Sequence, residues 1–228
     1  DDLGEASATN YYLPVKYNQT VGLYPGSVPN EAITYETVFK LNAGLDISTA
    51  GNRFNISLDV YNYTSEDLLI YSPIDPYMGY DLRLQNYGTM QNTGIELSSF
   101  FRLVDKGSFK WDLSTNLASN NNTITNLDGN TLSYDIPGGE RVNMENEEVN
   151  SFYGFIFDGV YTTQSEAEES GLVNDKNIPF RAGDAIYMDI SGPEGIPDSV
   201  INFYDKTTLG SALPEYFGGI QTRLTYKR

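Results

Sequence analysis

Long runs in which apolar and polar residues alternate, separated by connections of very unequal length, constrain this chain more than any other feature. Thr37, Phe39, Leu41, Ala43, Leu45 and Ile47 alternate with Val38, Lys40, Asn42, Gly44, Asp46 and Ser48. Phe54, Ile56, Leu58 and Val60 alternate with Asn55, Ser57, Asp59 and Tyr61. Ile95, Leu97, Phe101 and Leu103 read as one face interrupted by Ser99, with Glu96, Ser98, Phe100 and Arg102 opposite. Trp111, Leu113, Thr115 and Leu117 oppose Lys110, Asp112, Ser114 and Asn116. A period of two means a strand with one face against an apolar phase and the other against polar surroundings. Between turns the runs are roughly 10 to 14 residues, against about 5 to 6 for the usual globular strand. A tilted strand crossing a bilayer needs about 9 to 11.

The connections support the same reading. Ala50-Gly51-Asn52 and Asp105-Lys106-Gly107 are short, polar and hairpin-like. Residues 64–93, 119–150 and 164–214 are long, rich in Asn, Gly and Pro, and are expected to be irregular, apart from a helical turn at Ser165–Ser170. Short turns alternating with long loops are the pattern of an outer-membrane barrel, with the short turns periplasmic and the long loops extracellular. Such a barrel leaves no hydropathy signal, because each strand averages its two faces.

Composition removes several classes of function. The chain has 228 residues, no Cys and no His, which excludes disulfides, thiolate metal sites and the commonest general base. A formal net charge of -17 argues against nucleic-acid binding, which needs clustered Lys and Arg. No run reaches the ~18 apolar residues of a membrane helix. Nucleophile motifs are absent, so no enzymatic activity is expected.

Five blocks, in order, then resemble the SusC/RagA-type TonB-dependent outer-membrane transporters. Pro29-Asn30-Glu31-Ala32-Ile33-Thr34-Tyr35-Glu36-Thr37 is similar to the family's N-P-x-L-x-W-E-x-T, with Tyr35 in place of Trp. Asn52-Arg53 through Asp59-Val60-Tyr61-Asn62 resembles its N-R-x-x-x-x-x-D-Y-Y-N strand. Asn86-Tyr87-Gly88 with Asn92-Thr93-Gly94-Ile95-Glu96 resembles N-x-G-x-x-x-N-x-G-x-E. Ser151-Phe152-Tyr153-Gly154-Phe155 with Gly159 and Tyr161 is similar to S-F-Y-G-Y-x-x-x-G-x-[FY]. Gly183-Asp184 through Asp189, Leu209-Gly210, Pro214-Glu215-Tyr216 and Gly218-Gly219 resemble the late-barrel signature.

The resemblance implies an all-β, antiparallel transmembrane barrel segment, part of a 22-stranded plugged barrel, with long extracellular loops. Residues 1–228 would form one partial barrel domain, without plug, signal peptide or terminal strand. Import of oligosaccharides or peptides across the outer membrane of a Gram-negative bacterium is implied, with a SusD-like surface lipoprotein as partner. TonB would act through a part of the transporter that precedes this segment. The competing architecture is a soluble β-sandwich serving as a surface-binding or adhesin module, whose apolar faces would pack on a second sheet.

Two residue sets stand out as site candidates. Tyr77, Tyr80 and Tyr87 offer flat aromatic faces in a long loop, with Asn86 and Gln91 as hydrogen-bond partners for cargo; packing within the loops is the other reading. Asp189, Ser191, Glu194, Asp198 and Asp205 place oxygens around glycines as a Ca²⁺ loop would, or form a solvated acidic turn. Glu140, Glu145, Glu147, Glu148, Glu166, Glu168 and Glu169 make the loops acidic, either for a partner or for solubility. Tyr35, Tyr61, Tyr63, Trp111 and Tyr226, near strand ends, are expected in aromatic girdles at the membrane surface.

Overall fold

The computed structural model describes residues 12–17, 20–25, 28–49, 51–75, 77, 79–80 and 82–227. They cluster into two compact units. The first lies within residues 1–130, 144–146 and 214–228, and the second comprises 131–143 and 147–213.

The first unit is dominated by one antiparallel sheet of five strands. β3 (Thr37–Ser48), β4 (Phe54–Glu66), β7 (Thr89–Lys106), β8 (Phe109–Asn126) and β17 (Tyr216–Tyr226) stand in the order β17-β8-β7-β4-β3. Two small hairpins accompany it: β1 (Tyr12–Tyr17) with β2 (Thr20–Pro25), and β5 (Leu69–Pro73) with β6 (Leu82–Asn86). Leu45, Leu58, Leu97 and Leu117 pair in one row across four strands, and Ile47, Ile56, Ser99, Thr115 and Ile220 form the next. That alignment follows from the alternation, since a slip of one residue would turn every side chain to the other face.

The apolar face of this sheet is uncovered. Leu41, Leu45, Ile47, Leu117 and Ile220 are 71%, 56%, 52%, 55% and 77% exposed, so no second sheet packs on them and the sandwich alternative is corrected. The sheet is open, a stretch of wall rather than a closed barrel. Hydroxyls that fall on the apolar face pair with one another: Ser99 Oγ and Thr115 Oγ1 are 2.6 Å apart, and Trp111 Nε1 donates to Thr222 Oγ1 at 2.8 Å.

In the second unit, β9 (Leu132–Ile136), β10 (Gly139–Asn143), β11 (Ser151–Phe155) and β16 (Lys206–Gly210) form a sheet in the order β16-β11-β10-β9. β12 (Phe157–Val160) pairs with β14 (Ala185–Tyr187). β13 (Val173–Asn174) pairs in parallel with β15 (Val200–Ile201), a short exception to the antiparallel rule. The turn between β9 and β10 holds Pro137 and then Gly138 at φ +85, as a type II turn requires. α1 (Gln164–Ser170) contains the helical turn read from the sequence. Thr163 caps it by accepting from the Glu166 N–H, and Gly171 closes it at φ 67. Val142, Tyr161, Ala167 and Ile201 are buried here.

Two expectations change. The long loops contain strands: β5, β6, β9 and β10 lie in stretches expected to be irregular, and β7 and β8 run well into them. These strands are only five residues long: β5 opens on a continuous Leu69-Ile70-Tyr71, and the alternation of Leu132, Tyr134 and Ile136 in β9 is too brief to stand out from a loop. Leu103 does not continue the apolar row of β7. The register slips between Arg102 and Val104, and Val104 pairs with Trp111; such a bulge is silent in composition. The segments 1–11, 18–19, 26–27, Ala50 and Arg228 lie outside the described residues, so the turn at Ala50 is followed only at Gly51 and Asn52, both at positive φ.

Candidate functional site

The polar face of the five-stranded sheet carries the densest array of groups able to hold a ligand. Asn42, Tyr61, Gly94 and Asn120 form one row across β3, β4, β7 and β8. Lys40, Tyr63, Asn92 and Asn122 form the adjacent row. The Tyr61 and Tyr63 rings stack with centroids 5.0 Å apart, and the Lys40 ammonium lies 5.4 Å from the Tyr63 ring centre. Asn120 Nδ2 donates to Tyr61 Oη at 3.0 Å. Gly94 makes this possible, because a Cβ there would come within 2.3 Å of the Tyr61 ring. The Asn92 and Asn120 side-chain oxygens find no hydrogen-bond partner in the described structure.

Both tyrosines were expected in a surface girdle, and the structure corrects this. Their parity matches Asn55, Ser57 and Asp59, so they share the polar face. Trp111 and Tyr226 do lie on the apolar face, near the β7–β8 turn. On that same face, Gly218 opens a shallow hollow of about 670 Å³ among Leu58, Ile95, Leu97, Leu117 and Ile220. It offers little to orient a polar ligand.

The five cargo candidates do not converge. Tyr87 Oη donates to the Leu127 carbonyl at 2.7 Å and accepts from Asn130, pinning its own turn. Asn86 accepts from Thr34 N and donates to the Thr34 and Asp67 carbonyls, stapling three segments. Gln91 lies on the opposite face from Asn92 and donates to Asn62 Oδ1 at 3.0 Å. Tyr77 is 99% exposed, and Tyr80 is half-buried.

The acidic loop is knitted by its own backbone. Asp205 is fully buried and accepts from the N–H groups of Ile190, Ser191 and Asn202 at 3.0, 3.2 and 2.8 Å. Asp189 accepts from Asp198 N and Ser199 N. Asp198 accepts from Val200 N at 3.0 Å. Ser191 and Glu194 flank this loop without joining a cluster of acids, and among the described residues no group of three or more acidic side chains is arranged to hold a metal.

Elsewhere the carboxylates act as clasps. Glu145 accepts from Leu127 N and Gly129 N, and these amides hold its pKa below the ordinary carboxylate value, with Gly129 the larger cause. Glu140 takes the Lys206 ammonium at 2.6 Å and the Ser133 hydroxyl, and its pKa is likewise lowered, chiefly by Lys206. Thr162 lowers that of Glu166 through its N–H and hydroxyl.

Comparison with known proteins agrees with this architecture. A family model described as TonB dependent receptor-like, beta-barrel matches residues 3–208. The chain is 28% identical over 229 residues to the TonB-dependent receptor P3 of Formosa agariphila, covering 97% of this chain and 22% of that protein. It is 32% identical over 215 residues to P26 of the same organism, covering 92% and 21%. With SusC of Bacteroides thetaiotaomicron it shares 28% over 202 residues, 87% of this chain and 19% of SusC. The fold superposes on the structure of the RagAB peptide transporter with a TM-score of 0.75 and 21% identity, covering 98% of this chain and 23% of that one. The chain thus spans less than a quarter of the length of these relatives, none of which is an enzyme. It belongs to the TonB-dependent receptor β-barrel family.

Proposed function

We propose that this chain forms a stretch of the wall and extracellular surface of an outer-membrane importer for oligosaccharides or peptides. The observation that carries the reading is the uncovered apolar face backed by a polar one. Phe109 to Ser119 in β8 spans ten steps of about 3.4 Å, or ~34 Å along the strand. At a tilt of about 40° that is ~25 Å along the membrane normal, the height of a barrel's apolar band. Outside that band the same face turns polar on β4, β7 and β8 at Asn62, Thr93 and Asn121, while Leu41 and Phe39 extend it on β3. In a bilayer, closure by further strands would satisfy the open edges of β3 and β17.

In this reading a SusD-like lipoprotein sits over the extracellular surface, and TonB supplies energy through another part of the transporter. The polar lumen conducts hydrophilic cargo past the β4, β7 and β8 rows. The resemblance to SusC and the fold shared with a peptide transporter support both cargo classes. The test is uptake by cells carrying the complete transporter, with and without TonB, using oligosaccharide and peptide pools. TonB-dependent accumulation, with co-purification of a surface lipoprotein, is expected. Absence of uptake of either pool, or recovery of the protein outside the outer membrane, overturns the proposal.

A further inference from the structure

The short-turn end of the five-stranded sheet is basic in an otherwise acidic chain. Arg53, Arg102, Lys106, Lys110, Arg223 and Lys227 lie there, six of the 14 Lys and Arg, against Asp105 and Asp112 of the 31 acids. Asp112 accepts from Arg102 Nε at 3.0 Å, and Asp105 lies 3.9 Å from Arg102 and 4.0 Å from Lys110. Those four charges balance one another. Lys106 and Lys227, at the turn itself, have no carboxylate partner among the described residues. Lys106, Phe109 and Tyr226 form the last row of the apolar face, next to Val104, Trp111 and Leu224. The Lys227 ammonium lies 5.4 Å from the Tyr226 ring centre. The Lys227 N–H donates to the Ser108 carbonyl at 2.8 Å and ties the end of β17 to the β7–β8 turn. Gly107, Ser108, Lys110, Thr225 and Lys227 line a hollow of about 530 Å³ there. Lys110 and Thr225 pair on the polar face, and Lys227 follows Tyr226 of the apolar one, so the hollow lies at the rim where the two faces meet.

We propose that this hollow, with Lys106 beside it, binds the phosphate of an anionic phospholipid headgroup at the periplasmic membrane surface. The inference rests on the importer reading only in that the sheet crosses a bilayer with its short turns toward the periplasm. Within two rows the apolar face passes from Leu224 and Trp111, whose indole N–H is taken by Thr222, through Phe109 and Tyr226 to lysine. Amphipathic rings settle at the level of the headgroups. A lysine at that depth lays its aliphatic stem along apolar surface and keeps its ammonium in water. A phosphodiester offers two unesterified oxygens, which accept from ammonium and hydroxyl groups, here those of Lys106, Lys227 and Ser108. Basic pockets at a membrane surface hold anionic headgroups in this way. Two unbalanced cations favour a headgroup of net negative charge over a zwitterion, whose own ammonium they repel. The acyl chains would run along Trp111 and Leu224, which are 38% and 64% exposed. Free phosphate shares the oxygens but covers none of that apolar surface, so a lipid is the better occupant.

The experiment is native mass spectrometry of the complete transporter in non-ionic detergent, titrated with phosphatidylglycerol, with phosphatidylcholine of the same chains, or with inorganic phosphate. Phosphatidylglycerol adducts are expected to survive where phosphatidylcholine and phosphate are lost. The double variant Lys106→Gln/Lys227→Gln should carry one phosphatidylglycerol fewer than the parent. Each single variant should shift the midpoint of that adduct about fivefold, the worth of one lysine at an anionic surface. Lys106→Arg, which keeps the charge, and Lys176→Gln, in the second unit, should bind like the parent. Heat-modifiable mobility checks that each barrel assembles; if Lys106→Gln does not, Lys227→Gln carries the test. Equal retention of the two lipids, phosphate bound as firmly as lipid, or an unchanged lipid count in the assembled double variant overturns the inference. Normal TonB-dependent uptake alongside such a result removes this site alone, whereas recovery of the protein outside the outer membrane removes the importer reading itself.

Discussion

Gly94 shows how one residue sets the texture of the polar face. A strand interior usually loses stability at glycine, but here the absent Cβ is the space the Tyr61 ring occupies on its way to Asn120. Gly94→Val is therefore expected to destabilise the complete barrel by about 1–3 kcal/mol through overpacking. Combining Tyr61→Ala with Gly94→Ala should recover part of the loss of Gly94→Ala alone, because only the approach to the Ser119 carbonyl at 2.8 Å then remains. Denaturant titration of the refolded barrel measures both. Asp205 makes the same point with charge. Its carboxylate accepts three backbone N–H groups while fully buried. Asp205→Leu orphans them at a cost of about 1–3 kcal/mol per group if they stay dry. Faster protease cleavage within residues 188–205, with unchanged cleavage at the β7–β8 turn, is the expected readout.

Among the elements, long strands with one apolar face were legible and short strands were not. β3, β4, β7 and β8 announce themselves through Phe39 to Ile47, Phe54 to Val60, Ile95 to Phe101 and Trp111 to Leu117. β9 and β10 are five residues each, too short for the alternation of Leu132, Tyr134 and Ile136 to stand out, although Leu132 and Val142 are buried. Their pairing rests on a Pro-Gly turn and on contacts made far away in sequence. Lys206 of β16 reaches Glu140 of β10, which also takes the Ser133 hydroxyl of β9. The rows on the polar face were half visible: alternation assigned Tyr61 its side, but the expectation of a girdle for tyrosines near strand ends overrode it. The Ca²⁺ reading of the late loop saw the right oxygens without the backbone amides that occupy Asp189 and Asp205. The Glu140 clasp has a pH consequence. Its folded pKa is lowered, so its contribution is present above the ordinary carboxylate value and is lost as pH falls through the depressed one. With both side chains part-exposed, the effect should stay below about 1 kcal/mol. Protection factors of the β16 amides, corrected for the intrinsic pH dependence of exchange, are expected to fall on acidification in the parent and to change less in Glu140→Gln.

At the scale of the whole molecule, the importer reading has the sheet separate two media, and the two faces of a single strand should report them differently. Ile56 and Ser57 are neighbours on β4. Ile56 lies in the apolar row with Ile47, Ser99 and Thr115, near the middle of the band, while Ser57 lies across from Asp46. Ile56→Arg puts a cation in hydrocarbon and should cost roughly 2–4 kcal/mol of barrel stability in lipid. Ser57→Arg puts the same cation in an aqueous lumen beside Asp46 and Asp59, where it is expected to be neutral or slightly stabilising. Folding titrations of the two variants of the complete barrel in lipid vesicles measure the difference directly. Equal costs would mean that both faces meet water, and a larger cost for Ser57→Arg would turn the wall inside out. On the importer reading the long and short connections face opposite sides of the membrane. Lys106 precedes the short β7–β8 turn, and Lys176 lies in the second unit between β13 and β14. An amine-reactive reagent that does not cross membranes, applied to intact cells, is expected to label Lys176 and spare Lys106. Labelling at Lys106 with protection of Lys176 would invert the orientation.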